Sequence, residues 1–167
     1  AKIEGDDRDL HRAIYLDEVF ALRPSDRDAR FQAAFAYSEA GLPDLAILHY
    51  EALLAHDKDN NAAKNNIAIA FDALEMKGLA AKNLHKSAAE GNTLAMANLA
   101  FRFLDKGFLE EAGDLLSRAT QTGRPHPTVA EAMARLEQMR KWEAEKREEI
   151  LRSARERHRI LRRAALP

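Results

Sequence analysis

From Arg27 to about Arg124 the apolar positions follow a helical period, and the pattern itself recurs after 34, 32 and about 32 residues. Three segments, 27–60, 61–92 and 93–124, align in phase. Ala33-Ala34, Ile67-Ala68 and Leu99-Ala100 stand in their first halves, and an aromatic follows at Tyr37, Phe71 and Phe103. The second halves carry Ala46, Ala80 and Ala112, then Tyr50, Leu84 and Leu116, then Leu53, Ser87 and Ala119. Small residues at helical spacing let two antiparallel helices approach closely, and the ring fills the wedge between one hairpin and the next. Gly41-Leu42-Pro43-Asp44 reads as a helix stop followed by a helix start. Gly78, displaced by three residues, and Gly107 mark the corresponding breaks. Asp57-Lys58-Asp59-Asn60 and Glu90-Gly91-Asn92-Thr93 supply the turns and caps between units. Ala13 to Asp26, with Leu16 and Val19-Phe20, reads as the second helix of a preceding, incomplete unit.

Pro125-His126-Pro127-Thr128 interrupts the array, and no Gly or Pro follows until beyond Arg163. One helix of some 35 residues, on the order of 50 Å, is expected there. Val129, Ala132, Met133, Leu136 and Met139 give it an apolar face suited to covering the end of the array. Beyond Arg140 the stripe thins to Ile150, Ala154 and Leu161. Glu137–Lys141, Glu143–Arg147 and Glu148–Arg152 have the spacing of helix-stabilising pairs, so the helix can project into solvent. The expected fold is all-α: an antiparallel helix-hairpin solenoid of about three repeats plus a partial one (1–26), the repeats over 27–124, and a long charged helix over 125–167.

These in-phase residues resemble the tetratricopeptide repeat, and Ser87-Ala88-Ala89-Glu90-Gly91-Asn92 is similar to the related Sel1-like repeat. The resemblance covers roughly 27–124. It departs at the fourth position of each unit, usually large and apolar, where Arg30, Lys64 and Met96 stand, and at Glu75, where the family has Gly. The resemblance implies a concave face, lined by first helices, that receives a partner segment. It implies a ladder at Gln32, Asn66 and Asn98, whose carboxamides can pair with a backbone C=O and N–H. The alternative is that these amides bond a neighbouring helix. Phe31, Phe35, Asn65, Ile69, Phe101 and Leu104 flank the ladder and suit an amphipathic helix or an extended apolar segment. A partner, the chain's own last helix or a second copy is expected to cover Phe31, Phe35, Phe101 and Leu104. The Lys and Arg that the family uses to clamp acidic tails are missing at Phe31, Phe35, Leu94 and Asn98.

Composition agrees with helix: Ala occupies 32 positions and Leu 21, against 13 for Val, Ile and Thr together. The net charge of −1 gives no global pull toward nucleic acid, and the lack of Cys excludes thiolate chemistry. Charge is polarised, however. Arg152, Arg155, Arg157, Arg159, Arg162 and Arg163 face only Glu156 over 151–163, while the chain before 137 has 16 basic and 21 acidic residues. Such a tail reads as a solvated helix end, as a self-association or docking helix, or as a contact for RNA or an anionic membrane. No phosphate-cradling loop, metal-ligand motif or nucleophile motif occurs. His49 and His85, one repeat apart, can lie side by side on the outer surface. The expectation is a non-enzymatic scaffold or adaptor subunit, chaperone-like in architecture. It takes no cofactor, metal or small-molecule substrate, and it binds another protein or itself. Ala1 to Asp9 has no apolar run and so is no signal peptide, while the first residue, not Met, leaves a removed leader or a longer parent chain open; no stretch approaches 18 apolar residues, so no membrane span is expected, and the cytoplasm is the expected compartment.

Overall fold

The computed structural model describes residues 7–165; residues 1–6 and 166–167, at the outer ends of the first and last expected segments, lie outside the described residues. The described residues form eight helices and no strand: α1 (Asp7–Leu22), α2 (Arg27–Glu39), α3 (Pro43–His56), α4 (Asn61–Ala73), α5 (Lys77–Ala89), α6 (Thr93–Asp105), α7 (Leu109–Thr120) and α8 (Thr128–Ala165). Each packs on the next in chain order, α2 also touches α4, and α8 lies on both α6 and α7. This is a solenoid of three hairpins, α2–α3, α4–α5 and α6–α7, flanked by α1 and α8. No helix among the described residues is long and apolar enough to cross a membrane.

Two kinds of helix start alternate. Asp26, Asn60 and Asn92 cap α2, α4 and α6, accepting from the amides of Ala29, Ala63 and Ala95 at 2.9, 2.9 and 3.1 Å. The second helices α3, α5 and α7 follow Leu42, Met76 and Phe108, which offer no capping side chain. They are entered through one repeated turn. The amides of Leu42, Met76 and Phe108 donate to the carbonyls of the wedge aromatics Tyr37, Phe71 and Phe103, each at 2.9 Å. The residue before each of these is left-handed: Gly41 (φ 73), Glu75 (φ 58) and Gly107 (φ 78). The middle break is therefore at Glu75. Gly78, expected to mark it, sits in the first turn of α5 and is not left-handed. Helix α1 starts at Asp7, upstream of the expected Ala13.

The recurring alanines do what their spacing suggests: Ala33, Ala34, Ala46, Ala63, Ala68, Ala80, Ala100, Ala112 and Ala119 are fully enclosed between helices. Two apolar clusters result, one around Tyr37, Tyr50, Leu53, Ile67 and Phe71, the other around Leu84, Leu99, Leu104, Leu116 and Leu136. Helix α4 contributes to both. Val129, Ala132 and Leu136 of α8 close the second cluster, and His126 donates its amide to Thr93 Oγ1 at 2.9 Å, holding the start of α8 beside the start of α6. From Arg140 to Ala164 every side chain of α8 is exposed. Along that stretch Glu148–Arg152 pairs as spaced, whereas Lys141 turns to Glu145 and Lys146 to Glu149.

Candidate functional site

The first helices stand side by side, and their exposed edges form one wall. Side chains link α4 to its neighbours α6 and α3. Asn98 on α6 donates from Nδ2 to Asn65 Oδ1 on α4 at 3.0 Å, and Asn65 donates to Asn66 Oδ1 at 3.1 Å. Asn66 in turn donates to the Tyr50 hydroxyl on α3 at 3.2 Å. The carboxamides expected at the wall thus bond one another and a neighbouring helix, through Asn65, a residue outside the expected ladder. Gln32 is apart from them and accepts from Arg12 Nη2 at 3.2 Å. Tyr50 is 0 % exposed, and burial pushes its hydroxyl pKa up to about 12, with the Asn66 hydrogen bond opposing that rise.

Two ion pairs add rungs of a second kind. Arg102 on α6 meets Asp72 on α4 at 2.5 Å, and Arg135 on α8 meets Asp105 on α6 at 2.6 Å. Both span 30 positions. Helix α8 therefore takes the place that a fourth first helix would occupy. Sequence reasoning passed over these rungs, although a carboxylate ending one first helix and an Arg 30 residues later were there to see.

The apolar positions divide into three groups. Phe31 is half-buried, its ring 5.7 Å edge-on to Tyr50. Phe101 is half-buried, with the Arg135 guanidinium 5.8 Å from its ring. Leu104, like Asn65, is only 1 % exposed and offers nothing to a partner; it belongs to the core under α8 rather than to the wall. Phe35 and Ile69, equivalent positions of α2 and α4, remain open at 37 % and 50 % exposure. The chain's own last helix thus covers the α6 end of the wall and leaves the α2–α4 end uncovered. A hollow of about 240 Å³ lies beside Ile69, bounded by Asp72, Asn98, Phe101 and Arg102.

His49 and His85 are not paired. His49 stacks on Tyr37 at 5.3 Å and lies 3.7 Å from Asp17, whereas His85 meets Phe103 edge-on at 6.4 Å. Burial lowers the His49 pKa; Asp17 opposes the shift and Arg30 adds to it. Among the described residues no group of three or more His, Asp and Glu is arranged to hold a metal. The arginines expected as a basic contact, Arg152, Arg155, Arg157, Arg159, Arg162 and Arg163, all lie on the exposed part of α8, where Arg152 pairs with Glu148 and Arg159 with Glu156. Neither protein-family models nor curated protein sequences match this chain.

Proposed function

We propose that this chain is a non-enzymatic protein-interaction module of the tetratricopeptide-repeat kind, a scaffold or adaptor subunit that holds a partner segment on the α2–α4 half of its first-helix wall. The observation that carries the reading is the pair Phe35 and Ile69. Two large apolar side chains recur at one repeat position, next to carboxamides and charges that are already satisfied within the protein. An occupant there gains by burying apolar side chains, and it finds few free amides to read its backbone. An amphipathic helix fits that better than an extended strand. A cytoplasmic setting is part of the same proposal.

The test uses Phe35→Glu with Ile69→Glu. Both sites are exposed, so circular dichroism and melting should hardly change. Proteins cross-linked to the wild-type chain and identified by mass spectrometry should be lost. An unchanged captured set from the folded variant refutes the reading.

A second reading, self-association through α8, is favoured by one observation. Ile150, Ala154 and Leu161 continue the helix face that Val129, Ala132 and Leu136 bury against the body, yet they are exposed. A second copy packed antiparallel would cover that stripe and bring each basic tail toward the other's acidic body. Removal of residues 139–167 should then halve the mass seen by light scattering, and a mass already monomeric in the full chain rejects this reading.

A further inference from the structure

The fourth position of each first helix, apolar in most arrays of this shape, has three different fates here. Met96 enters the core at 3 % exposure. Lys64 is nearly as enclosed, and its ammonium is neutralised by Glu90, the residue capping the end of α5. Arg30 has no such partner. In register with Glu90, the first hairpin carries His56, at the end of α3. One hairpin thus sets a carboxylate against its buried cation, and its neighbour sets an imidazole against a guanidinium.

Arg30 and His56 line a half-open pocket of about 210 Å³ where the end of α1 meets the start of α2 and the end of α3. Arg27 and Ser25 add a second guanidinium and a hydroxyl, and no carboxylate lines the space. Two acidic residues adjoining this lining in sequence are engaged elsewhere: Asp26 caps the amide of Ala29, and Asp57 accepts from Asn60. The Arg30 guanidinium stacks 3.7 Å over the Phe20 ring, which fixes its plane. Its Nε is buried and has no hydrogen-bond partner. A guanidinium whose charge no carboxylate answers attracts an incoming oxyanion to its accessible edge. The opposite wall is apolar, made by Phe20, Pro24 and Leu53. A cavity of about 150 Å³ holds a benzene-sized group, so there is room here for a carboxylate and a branched or aromatic arm together.

We propose that this pocket binds a carboxylate carrying a short apolar substituent, the planar anion meeting the Arg30 and Arg27 forks and the substituent lying against Phe20 and Leu53. Two sources share that chemistry: the free C-terminal residue of a peptide, and a small free acid. The site is separate from the first-helix wall and does not depend on the function proposed for it.

The experiment titrates the full ¹⁵N-labelled chain with N-acetyl-leucine, N-acetyl-leucine amide, 4-methylpentanoate and inorganic phosphate. Saturable shifts centred on residues 20–30 and 53–56 are expected with the two carboxylates, with Kd on the order of 1 mM or below. The amide should bind at least tenfold more weakly. Tighter binding of N-acetyl-leucine points to a peptide terminus, and tighter binding of 4-methylpentanoate points to a free acid. Equal binding of acid and amide, binding of phosphate as tight as that of the acids, or no saturation by the acids overturns the proposal. His56→Glu supplies the control from within the chain. It places beside Arg30 the carboxylate that Lys64 already has, so it should abolish binding with the melting temperature unchanged or raised. Retained binding in that variant also overturns the proposal. Arg27→Gln, at an exposed position, should weaken binding severalfold without affecting the fold.

Discussion

Asn66 donates to the hydroxyl of Tyr50 at 3.2 Å and so ties α4 to the fully enclosed ring of α3. The bond changes what a substitution at Asn66 reports. Asn66→Ala strips the buried hydroxyl of its donor and should cost about 1–2 kcal/mol in urea unfolding. Tyr50→Phe removes the group that needs the donor and leaves Asn66 access to water, so it should cost less. In the double variant the two losses should fall well short of adding. Full additivity would show that the bond carries no coupling.

Glu75 holds the left-handed position that Gly41 and Gly107 hold in the other hairpins. A side chain there is strained by about 1 kcal/mol, and the exposed Glu75–Lys77 contact at 2.8 Å returns little of it. Glu75→Gly should raise the melting temperature by about 2–4 °C. Gly107→Ala should lower it, although open space surrounds that position, because the backbone rather than a clash objects. A Glu75→Gly melt at or below wild type would contradict this.

His49 predicts a pH dependence. Its folded pKa lies below the ordinary 6.5, chiefly through burial, so the unfolded chain takes up the proton more readily. The stability linked to the neutral ring is complete above about pH 6.5 and is lost as pH falls from there through the folded pKa. Chemical denaturation at several pH values should show a slope in that window, and His49→Gln should flatten it. An unchanged slope in the variant would assign it to other groups.

Leu136 and Leu161 lie on one face of α8 but differ tenfold in exposure, 6 % against 61 %. Leu136→Ala should cost about 2–4 kcal/mol by opening a cavity under the last hairpin. Leu161→Ala should change the stability of a single chain by less than about 0.5 kcal/mol. A larger loss at Leu161 that grows with protein concentration would be the mark of a covering second copy.

The helices, their pairing and the enclosed alanines were legible because a translational period in small residues has few other physical readings. The middle turn was less so. A Gly three residues away, at 78, looked like the break, whereas the repeat spacing itself pointed to Glu75. The wall was legible as a position and not as a chemistry. Gln32, Asn66 and Asn98 read alike, yet their bonds depend on Tyr50, Asn65 and Arg12, which come from other helices. The Arg30 pocket had a clear signal, a cation at a usually apolar position. Its meaning appeared only when His56 and Glu90 could be compared in space.

The two charged rungs, Asp72–Arg102 and Asp105–Arg135, also set how the array responds to salt. They clip α4 to α6 and α6 to α8, whereas in the register of Asp72 and Arg102 the pair between α2 and α4 is Ser38 and Ala70, which carries no charge. Added salt therefore softens the joints toward α8 and leaves the α2–α4 joint, which the neutral Asn66–Tyr50 bond ties, unchanged.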